Sequence, residues 1–274
     1  MKDILKLNEI QLEEFKILKE VVKILEENGL RYSLIGGTLL GAVRHNGFIP
    51  WDDDIDIAMP RIDFERFFGI FIKSNKNKDL EIQSYKNGKS FFPFYKIVNK
   101  SIQIECEDIC DQEERFLWID VFPIDGLPDD ENEVKKTYKK IDFLKKMLYI
   151  KKYRIFKDKY SSFEKKILKC IVKPVALLVN DNQIDKIARK YNFEDSKYVG
   201  VVVWGYGQKE KNRKEDMDSY IKWTFEGSEF CIIKGYDIYL RKLYGEYMKL
   251  PPKEKRVTHN IKAWRVWSYV EEKK

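Results

Sequence analysis

The chain of 274 residues lacks long apolar runs, and none approaches the ~18 residues that a membrane-crossing helix needs. Its first residues, Met1-Lys2-Asp3-Ile4, lead into an amphipathic pattern and not into the apolar core of a signal peptide, so no secretory leader is expected. Cysteine is scarce. Cys106, Cys110, Cys170 and Cys231 are widely spread, which speaks against a disulfide framework and for a reduced, cytoplasmic setting. Cys106 and Cys110 sit in an acidic run with no second ligand pair, so zinc is not expected there. There are no internal repeats and no low-complexity tracts. The Gly-Lys-Ser/Thr ending of a phosphate loop and the three-glycine dinucleotide fingerprint are also missing.

What is present is a soluble, globular composition: 35% charged and 43% hydrophobic residues, with a high 14% aromatic share. This is enough chain for a large core in one or two domains. The net charge of +7 is unevenly placed. Between Lys135 and Lys173 there are 15 Lys or Arg against three Asp or Glu, so the remainder of the chain is net acidic. No nucleic-acid-binding motif accompanies that basic stretch, and nucleic acid is not an expected partner. Its interleaved apolar residues suit a helical subdomain or peripheral contact with an anionic membrane surface at the inner face of the plasma membrane.

Periodicity predicts a helix over residues 9–28, a strand over 30–35 and a short helix over 38–43. A strand over 54–59 and a helix over 61–72 follow. Residues 80–85 and 90–98 read as strands about an Asn87-Gly88 hairpin turn, with further strands at 102–106 and 116–122. Pro123 to Pro128 reads as a loop. Residues 131–180 are mostly helical and basic, interrupted at Pro174, and a helix over 183–191 comes next. Strand 198–204, a hairpin about Gly227 and a helix over 235–244 complete the pattern. The order gives an α+β fold: a mixed sheet core with flanking helices over residues 1–130, a basic helical insertion over 131–192, and a C-terminal part, 193–274, that completes the core.

The most informative stretch runs from Gly36-Gly37-Thr38 to Trp51-Asp52-Asp53-Asp54-Ile55-Asp56. Glycines let a backbone approach a phosphate closely, and a helix start offers free N–H groups to an anion. On a strand, Asp54 and Asp56 share one face while Ile55 and Ile57 anchor the other. Two such charges about 4 Å apart repel by roughly 4 kcal/mol at an effective dielectric near 20, a penalty that a divalent cation removes. Magnesium favours octahedral oxygen ligation. Asp120, in the apolar run Trp118-Ile119-Asp120-Val121-Phe122, is the expected third acid, because a lone buried carboxylate is costly. Arg44, Arg61, Lys96 and Arg213 are the cations considered for phosphate contacts, with Arg44 and Lys96 favoured.

These motifs resemble the LicD family of phosphocholine transferases, as do Trp118 to Pro123 and Leu243-Tyr244-Gly245-Glu246-Tyr247-Met248-Lys249-Leu250-Pro251-Pro252. The likeness runs from about residue 30 to 259 and leaves out the basic middle. Where family members often carry two adjacent histidines, this chain has His259-Asn260. The resemblance implies a nucleotidyltransferase-like core in which Asp54, Asp56 and Asp120 are catalytic and hold Mg²⁺, or Mn²⁺ in its place. Gly36, Gly37, Thr38, Arg44, Trp51, Asp53, Lys96 and His259 make up the expected substrate-binding set. It further implies transfer of phosphocholine from CDP-choline to a glycan hydroxyl, on a teichoic acid, lipopolysaccharide or capsule type of precursor that is lipid-linked or free. A quaternary ammonium is best held by aromatic faces. Trp51, Phe91, Phe92, Phe94, Tyr95, Trp118, Trp204 and Tyr206 are the pool for that wall. The carboxylates do not separate this donor from CDP-ribitol or CDP-glycerol. A non-catalytic, glycan-binding protein at the membrane surface is the reading from another class.

Overall fold

A buried stripe of Ile10, Phe15, Leu18, Val22 and Leu25 at helical spacing makes helix α1 (Leu7–Glu27) and turns it onto the core. The computed structural model describes residues 3–105, 116–152, 162–180, 182–256 and 261–266. After α1 come β1 (Ser33–Leu34), α2 (Gly36–His45), β2 (Asp56–Pro60) and α3 (Arg61–Ser74). Strands β3 (Leu80–Gln83), β4 (Tyr95–Glu105) and β5 (Phe116–Leu127) follow. Helices α4 (Glu131–Lys152), α5 (Phe163–Leu177) and α6 (Gln183–Ala188) cover the basic middle. The chain ends through β6 (Tyr198–Gly200), β7 (Asn212–Arg213), α7 (Lys214–Met217), β8 (Tyr220–Phe225), β9 (Ser228–Ile233), α8 (Tyr236–Tyr244) and β10 (Lys262–Arg265).

Among the described residues, ten strands form one mixed sheet, in the order β10-β4-β5-β2-β1-β9-β8, with β3 added to β4 and β6 and β7 added beyond β5. The α+β class stands. Strands β2 and β5 run parallel at its centre, and β1 joins β2 antiparallel. The middle strands are apolar on both faces: Ile57, Ala58, Ile119 and Val121 are all fully buried, as a sheet covered by helices on both sides requires.

Several local expectations change. The strand before the glycines shrinks to Ser33–Leu34, and Gly36 and Gly37 belong to the first turn of α2 itself. Asn87-Gly88 does not make a two-residue hairpin. Asn87 donates to Ile82 O and accepts from Ser84 N, which closes a short 3₁₀ turn over Tyr85–Asn87, and β4 starts only at Tyr95. The expected loop after residue 122 is strand, because β5 runs on to pair Asp125 with Gly200. Strand 198–204 ends at Gly200, and Pro174 lies inside α5 instead of ending it.

Arg61, weighed as a phosphate contact, faces the protein's own acids. It is buried and donates to both Asp125 oxygens at 2.6 Å and to Asp185 at 2.9 Å, so its fork is spent on joining α3, β5 and α6. Arg213 is exposed on β7 and pairs with Glu215.

Candidate active site

The parallel pairing of β2 with β5 sets Asp56 directly beside Asp120, and neighbouring strands lie about 4.8 Å apart. Asp120 N donates to Ile55 O at 2.9 Å, which extends the pairing one step before β2 begins. Asp54 therefore precedes the strand and does not lie on it. Even so, Ile55 and Ile57 are buried while Asp54 and Asp56 are partly open, so the alternation that places both acids on one side persists.

The start of α2 is fitted to this acidic turn. Thr38 Oγ1 accepts a hydrogen bond from Asp56 N at 2.8 Å, and Ile35 N donates to Asp56 O at 3.2 Å. Gly36 has φ +57°, and a Cβ there would stand 3.2 Å from Asp56 Oδ2. A side chain would be strained and would crowd the carboxylate. Gln11 of α1 donates to Asp52 O at 2.8 Å and ties down the other end of the turn.

Asp54, Asp56 and Asp120 open onto a cavity of about 230 Å³ whose nearer wall includes Ile35, Gly36 and Phe122. Val201, Trp204, Gly205 and Tyr206, from the segment after β6, line it together with Glu210 and Tyr239. Gly205 is required there: a Cβ would lie 2.3 Å from Val201 O and 2.6 Å from Glu210 Cγ. Glu210 is 1% exposed. Its Oε1 accepts from Tyr206 N at 3.1 Å, whereas its Oε2 has no hydrogen-bond partner. Burial pushes its carboxyl up to about 7. Hydrogen bonds from Tyr206 and Val201 and the charge of Lys145 oppose that rise.

The neighbouring acids act on Asp56. Burial first, then the charges of Asp54, Asp120 and Asp52, hold the Asp56 carboxyl well above the ordinary range. Glu14 of α1 is buried against the same turn and is raised by burial and by Asp54, Asp53, Asp52 and Asp56. Lys96 enters from β4 in register with Asp120, its Nζ 3.0 Å from Asp120 Oδ1. The ammonium is enclosed by Trp118 at 4.1 Å, Phe92 at 4.9 Å and Phe94 at 5.6 Å from the ring centroids. Three rings of the expected choline wall thus face the protein's own cation.

Among the described residues, no three acid, histidine or cysteine side chains are already arranged to hold a metal ion. The chemistry of the donors nevertheless suits a hard divalent cation. All are carboxylate oxygens, and their mutual repulsion is what such an ion would relieve.

Of the residues expected at the site, Gly36, Asp54, Asp56 and Asp120 line the cavity, and Gly37, Thr38 and Lys96 support it. Three others do not line it. Asp53 is 3% exposed and faces inward. Arg44 is at the far end of α2, donating to Tyr247 O at 2.7 Å and to His45 Nε2 at 2.9 Å. Trp51 packs with His45 and lies 4.5 Å beneath Arg256. His259, Cys106 and Cys110 lie outside the described residues. Sequence reasoning missed Glu14, Glu210 and Tyr239. Glu14 reads as one more polar position of an amphipathic helix, and Glu210 lies in a charged stretch without periodicity. The Gly205-Tyr206-Gly207 bend just before Glu210 was the one local signal.

The chain is similar to several known proteins. The family described as LicD/FKTN/FKRP, nucleotidyltransferase domain, matches residues 29–170. The chain is 33% identical over 262 residues to the lipopolysaccharide cholinephosphotransferase LicD of Haemophilus influenzae, covering 94% of this chain and 97% of that protein. It is 56% identical over 39 residues to the ribitol 5-phosphate transferase FKRP of Homo sapiens, covering 14% of this chain and 8% of that protein. An uncharacterized protein of Rickettsia typhi is 39% identical over 71 residues.

Proposed function

The chain is an enzyme of the LicD/FKTN/FKRP nucleotidyltransferase-domain family, a phosphotransferase, and from that premise we propose that it moves phosphocholine from CDP-choline to a hydroxyl of a cell-surface glycan precursor. The observation that carries this reading is the cavity in which Asp54, Asp56 and Asp120, drawn from separate segments, meet beside the α2 start. Similarity along nearly the whole length of a cholinephosphotransferase supports the choice of donor.

In this reading Asp54, Asp56 and Asp120 hold Mg²⁺ or Mn²⁺. The ion, when bound, neutralises the donor diphosphate and stabilises the departing CMP oxygen. The protein's own groups orient the reactants. Backbone N–H groups at the start of α2 face the phosphates. Tyr206 supplies the aromatic face for the quaternary ammonium, since Phe92, Phe94 and Trp118 are occupied by Lys96 and Trp204 by Lys145. Asp120 is paired through its Oδ1 with Lys96. Glu210 Oε2 is the better proton acceptor for the attacking hydroxyl: it is buried in the cavity wall, has no hydrogen-bond partner, and titrates near neutrality. As the hydroxyl oxygen bonds to the distal phosphorus, its proton passes to Oε2. The bond from that phosphorus to the bridging oxygen breaks, and CMP leaves with the electron pair.

The short, strong match to ribitol 5-phosphate transferases favours a second reading, a CDP-ribitol or CDP-glycerol donor. The test is a panel of CDP donors with purified protein, Mg²⁺ and a glycan acceptor, with released CMP as the readout. CDP-choline should turn over fastest, and Asp54→Asn should abolish release. Faster release from CDP-ribitol would replace the first reading with the second. Full turnover by Asp54→Asn would remove the carboxylate chemistry altogether.

A further inference from the structure

Helix α5 is inside out. A helix on the surface of a soluble protein normally turns its apolar stripe toward the core. On α5 and the residue after it, Ile167, Leu168, Ile171, Val175, Leu177 and Leu178 are instead 45 to 82% exposed. Ile167, Ile171, Val175 and Leu178 follow one another at spacings of four, four and three, so they form one continuous stripe with Leu168 beside it. The opposite side is the one that packs: Ala176 is fully buried and Val172 is packed on the core. Lys166, Lys169 and Lys173 lie on the packed side and are only partly exposed, whereas Lys135, Lys136, Lys139, Lys140 and Lys146 of α4, which packs against α5, are exposed.

We propose that this face of α5 lies in the headgroup region of an anionic membrane surface, toward which the exposed lysines of the neighbouring α4 draw lipid phosphates. Charge selects that occupant. Residues 135–173 hold 15 Lys or Arg against three Asp or Glu. A second copy of the chain seated on the stripe would bring the same excess of positive charge, whereas an anionic bilayer brings its complement. Among the described residues no helix is long and apolar enough to cross a membrane, so the contact is that of a helix lying in the interface. It is independent of the chemistry proposed for the cavity.

The test is co-sedimentation of the full chain with vesicles of phosphatidylcholine containing phosphatidylglycerol, against vesicles of phosphatidylcholine alone. Binding is expected only to the anionic vesicles and should weaken as salt is raised. The double variant Leu168→Glu/Ile171→Glu should lose at least tenfold in partitioning and keep the wild-type unfolding transition, because both side chains are already in solvent. In Ile171→Trp, the emission should shift to the blue on adding anionic vesicles and should be quenched by brominated lipid. No binding at low salt, or binding untouched by the double variant, would overturn the proposal. So would a dimer in solution that the double variant splits while vesicles stay unbound, which would assign the stripe to a second copy.

Discussion

Glu210 is the residue whose importance emerges only from its surroundings. In an unfolded chain it titrates near 4.5, and burial in the native cavity wall lifts it to about 7. The protonated native form is thus favoured. The stability this gives is complete below about pH 4.5 and is lost as pH rises through 7, by roughly 3 kcal/mol in all. Glu210→Gln keeps an acceptor for Tyr206 N but has no titration. Urea unfolding at pH 5 and pH 8 should therefore show wild type losing roughly 2.5 kcal/mol relative to the variant over that interval. Equal slopes would mean that Glu210 stays charged in the fold. The same variant should lower kcat while leaving the donor KM near wild type. The Asp54-x-Asp56 spacing was legible because alternation on a strand is a local property. Glu14 was not, because nothing near it in the chain shows that it will be buried beside other acids, and the bend before Glu210 does not show that its carboxyl will be buried.

At the scale of elements, the places where the sequence misled share one cause. Asn87-Gly88 has the chemistry of a tight hairpin, but the Asn87 side chain closes a local turn with Ser84 and Ile82 first. Pro123 to Pro128 has the composition of a loop, but a neighbour, β6, is available to pair with it. The β8–β9 hairpin shows the opposite case. Glu226 (φ +49°) and Gly227 (φ +71°) both take the left-handed conformation of a two-residue turn, and the strands pair in register from Tyr220↔Ile233 to Phe225↔Ser228. A Cβ at Gly227 would meet nothing within 4 Å. Gly227→Ala should therefore cost only the backbone strain, about 1 kcal/mol, seen as a lower urea midpoint with an unchanged slope. The outcome matters for the site's frame, because this hairpin holds the turn after α2: Glu226 Oε1 accepts from Phe48 N and Glu226 N donates to Asn46 O.

At the scale of the molecule, the cavity is shared between the segment from Ile35 to Phe122 and the segment from Val201 to Tyr239, with the basic helices between them in sequence. A CDP ligand bridging the two walls should stabilise the whole fold by mass action. At a hundredfold excess over its Kd the gain is about 2.7 kcal/mol, and the rise in Tm should require Mg²⁺ or Mn²⁺. A rise that CDP-choline gives equally with and without the metal would argue against Asp54, Asp56 and Asp120 as its ligands.

The sequence by itself determined the α+β class, the alternation that puts Asp54 and Asp56 on one side, and the family, because each of these is written in spacings of a few residues. Tertiary structure alone decided that Lys96 sits on Asp120, that Arg61 is spent on Asp125, that Glu210 closes the far wall, and that α5 turns its apolar stripe outward. The physical reason is that charge pairing, burial and exposure depend on what the rest of the chain brings within a few ångströms, and no local pattern encodes those distances.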